Sequence, residues 1–159
     1  DGDGDGDGPV TILPVGDLSE AQMANAVQIV EIGESLGISE KGQQIALATA
    51  MQESSFRNLA NTSLPESLDV PNEGTGSDHD SVGLFQQRPS QGWGTIEECM
   101  DPEYATTTFY ERLQQVDGWE DMEVTEAAQA VQISGHPDAY AKWEGLADEI
   151  LEAVHESRQ

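Results

Sequence analysis

Basic residues are the scarcest charged class in this sequence. The chain of 159 residues carries 6 Lys and Arg against 31 Asp and Glu, a formal net charge of −25 at pH 7. Nucleic-acid binding requires a basic face, and a polybasic membrane-surface protein requires clustered cations, so both classes are disfavoured. No run of the sequence approaches the roughly 18 apolar residues that a membrane span needs. We therefore expect neither nucleic-acid binding nor membrane insertion.

Cysteine is also nearly absent, since Cys99 stands alone. An internal disulfide and a cysteine-based metal cluster are thereby excluded. The three histidines, His79, His136 and His155, do not form the His-x-x-x-His pair of a zinc site. We expect no metal and no cofactor, and we interpret Cys99 as a packing residue.

Apolar residues make up 36% of the chain, which is enough for one core at this length. Asp1–Gly8 alternate Asp and Gly and have no side chain to bury, so we expect a disordered acidic linker over residues 1–16. The Asp spacing resembles the start of a calcium loop, but Ile12 stands where such a loop needs Glu. We expect residues 17–159 to form one soluble, monomeric domain. A linker in front of it suggests that the domain is part of a longer polypeptide.

The acidity itself has two interpretations. Solvated carboxylates keep a protein soluble, and a dense acidic surface is also typical of halophilic proteins. Lys41 and Lys142 are the only lysines, which fits the halophilic interpretation. In both cases salt should relieve the repulsion between the carboxylates.

Apolar spacing predicts five helices. The first covers about Ser19 to Leu36, with a capping box between Ser19 and Gln22. The second begins at Ser39 and ends between Glu53 and Phe56. Both helices bring an apolar face to a shared core.

The remaining three helices follow a long polar segment, residues 57–82. Asp101 and Pro102 form a helix start, and Tyr104 opens the buried stripe of that third helix. Thr125 is predicted to cap the fourth helix and Asp138 to open the fifth. We expect a mainly α fold with a long irregular loop and at most a short β element.

Glu53 ends the otherwise apolar second helix, and burial next to that surface should raise the pKa of its carboxyl. A protonated glutamic acid of this kind can protonate a glycosidic oxygen. Many helical glutamates are solvated surface residues, so the local sequence leaves both roles open. Thirty residues later comes the run Gly83–Pro89, in which Gln86 and Gln87 offer amide groups suited to sugar hydroxyls and acetamido groups.

Together, Glu53-Ser54 and the Gly-Leu-Phe-Gln run Gly83–Gln86 resemble the lysozyme-like superfamily, in its branch of lytic transglycosylases and goose-type lysozymes. That branch pairs a helix-terminal Glu-Ser with a Gly-Leu-Met-Gln-like motif at this spacing. Residues 21–143 are also similar to actinobacterial cell-wall and phage-type domains, in which the run seen here at residues 83–94 recurs. The resemblance implies a lysozyme-like helical fold, an extracellular or cell-wall location, and peptidoglycan glycan strands as the substrate.

The resemblance also implies roles for single residues. Glu53 would be the general acid for cleavage of the MurNAc-β-1,4-GlcNAc bond, Ser54 its polar neighbour and Gln86 a substrate-contacting amide. We add Gln87 as a second amide contact. Trp93, between two glycines, is a candidate for stacking on a sugar ring or an ordinary lid aromatic.

One motif of the family is altered in this sequence, and the identity of a second catalytic carboxylate is undecided. The later Ala-Tyr-Asn motif of the branch is replaced by Ala130-Val131-Gln132, so Gln132 and Tyr140 are candidates for its contacts with the sugar and the acid. Asp78 and Asp80 precede Gly83 and are candidates for the base that goose-type enzymes use, whereas lytic transglycosylases have no such base. Hydrolysis and formation of an anhydro sugar are therefore both open.

A different functional class fits the same features. The altered third motif and the repulsion between an acidic protein and an anionic polymer favour a non-catalytic glycan-binding module on the same fold. A calcium-tuned acidic interaction domain is a further alternative. Saturable binding of glycan strands without turnover would identify the binding module.

Overall fold

The computed structural model describes residues 12–159. The Asp1–Gly8 tract of the predicted linker lies outside the described residues, whereas Ile12 and Val15 are partly buried against the core. The described chain is mainly α, as the sequence predicts. Its helices are α1 (Glu20–Ser35), α2 (Glu40–Ser54), α3 (Ile96–Cys99), α4 (Pro102–Gln114), α5 (Val124–Gln132) and α6 (Glu144–Glu156).

Two predicted helix starts are confirmed in atomic detail. The Ser19 Oγ accepts a hydrogen bond from the Gln22 N–H at 3.1 Å, and the Gln22 Oε1 accepts one from the Ser19 N–H at 2.8 Å. This reciprocal pair satisfies two backbone donors at the start of α1. At α4, the Asp101 carboxylate accepts from the Glu103 N–H at 3.0 Å, and Pro102 occupies the first turn.

Two other predicted starts are wrong. Glu123, not Thr125, is the N-cap of α5, since its backbone N–H donates to the Glu126 carboxylate at 3.2 Å and Thr125 lies inside the first turn. The Thr125 hydroxyl instead donates to the Pro137 carbonyl. The last helix begins at Glu144, not at Asp138, because residues 138–143 are taken up by turns and a 3₁₀ segment.

The predicted stripe of α4 is displaced at its start. Tyr104 is 39% exposed, and the buried face begins at Ala105 and Thr106 and continues through Phe109, Tyr110 and Leu113. The short helix α3 was not predicted from the sequence.

Helix α2 lies at the centre of the fold and packs against α1, α4, α5 and α6. Ile45, Leu47 and three alanines of α2 are fully buried, and the small side chains let neighbouring helices approach closely. On one side Phe85 stacks on Phe109, with ring centroids 4.7 Å apart. None of the helices within residues 12–159 has both the length and the apolar character needed to cross a bilayer.

The segment between α2 and α3 contains the short β element that the sequence allowed. Strand β1 (Ala60–Asn61) pairs in parallel with β2 (Thr75–Gly76). The amide nitrogen of the Asn61 side chain donates to the carbonyls of His79 (3.0 Å) and Ser81 (2.9 Å). These bonds fix the start of the run that leads to Gly83.

Candidate functional site

A groove of about 570 Å³ lies where the C-terminal ends of α2 and α5 meet the run after β2. Seven of the nine candidate residues from the sequence line it: Glu53, Asp78, Gln86, Gln87, Trp93, Gln132 and Tyr140. Ser54 and Asp80 are not among its lining residues. The fold therefore brings together residues that are up to 87 positions apart in the chain.

Glu53 occupies the last turn of α2, half-buried, with its carboxyl facing the groove. Its Oε2 accepts a hydrogen bond from the Tyr140 hydroxyl at 2.8 Å and another from the Gln132 Nε2 at 3.2 Å. Both donors reach the same oxygen. The orientation of the carboxyl is thus fixed from one side.

Burial raises the pKa of Glu53, as the sequence predicts. The hydrogen bonds from Tyr140 and Gln132 lower it, the charge of Asp78 raises it, and His136 lowers it, with a net increase. Burial and the neighbouring Glu53 charge also raise the pKa of Tyr140, so its hydroxyl keeps the proton that it donates.

Gln132 joins the two sequence motifs. Besides Glu53, its Nε2 donates to the Phe85 carbonyl at 2.8 Å. The Ser54 hydroxyl makes a parallel connection, since it is buried and donates to the Leu84 carbonyl at 2.7 Å. Ser54 therefore holds the run Gly83–Gln86 against the end of α2 and does not face the groove.

The two glutamines of this run have different environments. Gln86 lines the groove, and its Nε2 donates to the Gly83 carbonyl at 3.0 Å. Gln87 is 1% exposed, and its Nε2 donates to the Ala105 carbonyl at 2.9 Å. Gly83 has φ +84°, and a Cβ there would lie 2.0 Å from the Cys99 carbonyl oxygen. Only glycine fits at that position.

Asp78 and Asp80 differ sharply in their contacts. The Asp78 side chain is 76% exposed, lines the groove and lies 2.8 Å from the Nδ1 of His79. Asp80 accepts from the Nε of Arg88 at 2.6 Å and from the N–H of Ser90 at 2.8 Å. Partial burial acts to raise the pKa of Asp80, but these hydrogen bonds lower it to about 2. Asp80 is thus a paired anion outside the groove lining.

Trp93 lines the groove but is 8% exposed. The Arg112 guanidinium lies 3.6 Å from the centroid of its ring, and the Arg112 Nη2 donates to the Gly92 carbonyl at 3.0 Å. One ring face is therefore covered by a cation. A sugar ring could therefore stack only on the small part of the Trp93 ring that Arg112 and the core leave exposed.

Sequence reasoning missed several lining residues, including Arg88, Arg112, Ser134 and His136. Ser134 lies 3.0 Å from the Tyr140 hydroxyl oxygen and thus contacts the group that holds Glu53. Arg88 lies inside the run at residues 83–94, but the resemblance implies no role for it there, and no local motif marks the other three residues. The scarcity of basic residues offers one signal, because Arg88 and Arg112 are two of only 6 Lys and Arg residues.

Backbone strain is concentrated around the groove. Within residues 12–159 the non-glycine residues with positive φ are Ser55, Phe56, His79, Gln86 and Ile133. The last three line the groove, and the first two follow directly after Glu53-Ser54. Such conformations are retained where function or surrounding structure requires them, and they cluster at active sites.

The chain was also compared with known proteins. No protein-family model matches it, and no curated protein matches it significantly. Within residues 12–159, no group of three or more His, Cys, Asp or Glu side chains is arranged to hold a metal ion.

Proposed function

We propose that this protein cleaves the MurNAc-β-1,4-GlcNAc bond of peptidoglycan glycan strands, with Glu53 as the general acid. The observation that carries the proposal is the Glu53 carboxyl, half-buried at the wall of a polar groove and held by Tyr140 and Gln132. The motif resemblance supplies the substrate, and the geometry supports the chemistry.

The raised pKa of Glu53 keeps a larger fraction of its carboxyl protonated near neutral pH than for a solvated glutamate. The proton passes to the glycosidic oxygen as the bond to the anomeric carbon breaks, and the leaving sugar departs as an alcohol. Tyr140 and Gln132 donate to Oε2 and stabilise the carboxylate that forms.

We further propose that Asp78, and not Asp80, positions the attacking water. Asp78 is exposed in the groove, and its charge acts on Glu53, whereas Asp80 is already bound by Arg88 and Ser90. The products identify the reaction by mass, because an anhydro end is one water lighter than a hydrolysed reducing end. Loss of hydrolysis in Asp78→Asn would support this role, and anhydro products from the unchanged protein would contradict it.

The decisive experiment measures soluble fragments released from purified peptidoglycan. Glu53→Gln should lower the rate by about 10²–10⁴-fold, the usual contribution of a general acid. Glu149→Gln removes the same charge from the exposed face of α6 and serves as the matched control. Equal activity of Glu53→Gln and the unchanged protein would remove Glu53 from the catalytic role. Saturable binding with no release of fragments by either protein would identify a glycan-binding module instead.

A further inference from the structure

Ile133 is an isoleucine in a backbone position that isoleucine disfavours. It follows α5 with φ 49° and ψ 51°, in the left-handed region where a β-branched residue is an outlier. Its side chain is 81% exposed, the largest value among the exposed large hydrophobic side chains of residues 12–159. Gly92 and Gly118 occupy the same region of φ and ψ elsewhere, so folding alone would be served by glycine here.

The surrounding contacts hold Ile133 in this conformation. The Ile133 N–H donates to the Gln129 carbonyl at 2.8 Å. The Gln129 side chain then brackets the next residue, since its Nε2 donates to the Ser134 carbonyl at 2.9 Å and its Oε1 accepts from the Ser134 hydroxyl at 3.0 Å. The side chain of Ile133 is therefore presented on a fixed backbone.

The groove around Ile133 is otherwise polar. Of the other apolar side chains that line it, Val131 is 6% exposed and Trp93 is 8% exposed with one face under Arg112. Ile133 is therefore the one extensively exposed apolar side chain among the described lining residues. It directly follows Gln132, whose amide donates to Glu53.

We propose that Ile133 is a specificity-determining residue that contacts the acetamido methyl group of the sugar bound beside Glu53. This rests on the proposed function, because it takes the ligand to be a glycan of N-acetylated sugars. The methyl is the one purely apolar group that an N-acetylglucosamine unit presents, and an exposed apolar side chain gains by covering it. A glucose unit, which carries a hydroxyl in place of the acetamido group, offers this side chain no methyl group.

The test separates binding of the methyl group from catalysis. Binding is measured by calorimetry in a Glu53→Gln background, with a β-1,4-linked N-acetylglucosamine tetrasaccharide and its N-formyl counterpart, which lacks only the methyl groups. The protein with Ile133 should bind the acetyl form about four-fold more tightly than the formyl form, the ratio equivalent to one buried CH₂ group. Ile133→Asn, which tolerates the left-handed region, should bind both forms alike. Ile133→Val, which keeps a branched apolar side chain, should keep most of the preference.

A stability measurement accompanies the binding experiment. Ile133→Asn should unfold at a higher urea concentration than the parent, because it removes backbone strain and an exposed apolar group. Greater stability together with a lost acetyl preference is the result we expect, and a folding defect cannot produce it. An equal acetyl preference in the parent and Ile133→Asn, or no binding of either tetrasaccharide, would overturn the inference. Release of peptidoglycan fragments is scored separately, so the proposed function can stand or fail independently of this result.

Discussion

The groove of this protein is close to balanced in charge, whereas the rest of the chain is strongly acidic. Residues 12–159 contain 27 acidic and 6 basic residues, and two of each line the groove, which leaves 25 acidic and 4 basic residues elsewhere in that range. His79 and His136, two of the three histidines, also line the groove. The negative charge of the described residues therefore lies almost entirely outside the groove.

The difference separates two tasks. The outer carboxylates determine how the protein responds to salt and how it approaches a charged polymer. The groove is close to balanced in charge, so we expect hydrogen bonds and shape complementarity to determine which glycan binds there. Changes of salt should act on the first task, and single substitutions in the groove on the second.

Salt should have the largest effect. The Debye length is about 30 Å at 0.01 M ionic strength and about 3 Å at 1 M, so molar salt removes most repulsion between the outer carboxylates. We expect the free energy of unfolding to rise by about 3 kcal/mol between dilute and molar sodium chloride, or roughly 6–12 °C in melting temperature.

Activity should sharpen the comparison. Cleavage of anionic cell walls should rise over the same range of salt, whereas cleavage of a neutral soluble oligosaccharide should change little. A flat melting temperature would show that the outer carboxylates are well spaced or paired, and the halophilic interpretation would then be wrong.

Asp80→Asn should have the next largest effect, because Asp80 is an acidic residue with a bound cation. We expect a loss of about 1–2 kcal/mol in unfolding free energy at neutral pH, allowing for solvent screening around half-exposed Arg88. A pKa lowered from 3.8 to about 2 stabilises the fold above pH 3.8, and that contribution disappears as the pH falls towards 2. Urea unfolding from pH 7 to pH 2 should show the difference shrinking in that window. Asp69→Asn, an exposed site, should cost nothing.

Tyr140→Phe should act inside the groove. Removing the donor that lowers the pKa of Glu53 should move the alkaline limb of the pH–rate profile to higher pH, and kcat should fall about 10-fold. Tyr110→Phe is the matched control, because its buried hydroxyl donates to the Ile29 carbonyl at 2.8 Å, away from the groove. Both variants should lose similar stability. A pH profile that shifts equally in both would contradict a role of Tyr140 at Glu53.

Of the expected changes in stability, that of Glu53→Gln should be the smallest, and it should be a gain although the same substitution abolishes most of the activity. A carboxyl whose pKa is raised on folding stabilises the fold below its ordinary value of 4.5, and this contribution is lost as the pH rises through the pKa of the folded state. Glu53→Gln should therefore be slightly more stable than the parent at neutral pH and equal to it in acid. Thermal unfolding at several pH values checks this, with Glu149→Gln as the reference.

The sequence predicts what is decided locally. Ser19 with Gln22 and Asp101 with Pro102 carry their capping partners within three residues, and both helix starts are found where predicted. The prediction that Thr125 caps α5 was wrong because the helix begins two residues earlier, where the Glu123 N–H donates to the Glu126 carboxylate. The prediction that Tyr104 is buried was wrong because helical spacing identifies the apolar stripe of a helix but not which residue lies at its edge.

The candidate site is only partly accessible to such reasoning. Burial of Glu53 follows from its apolar helix, so the direction of its pKa shift could be predicted. The contacts of Tyr140 and Gln132 with Glu53 span 87 and 79 positions of sequence, and they depend on how α5 and the following turns pack against α2. Arg112 over Trp93 is a contact of the same long-range kind.

The buried Cys99 provides a natural probe of local opening next to Gly83. The Cys99 thiol is fully buried, and burial raises its pKa to about 12. The backbone carbonyl of Cys99 packs directly against Gly83. Because the core encloses this thiol, a thiol reagent can react with it only when the structure opens locally, and then only slowly. The rate of alkylation in excess reagent would report how often the packing around Cys99 opens. If a bound ligand slows this alkylation, then binding in the groove suppresses the local opening around Cys99. The measurement needs no label on the protein.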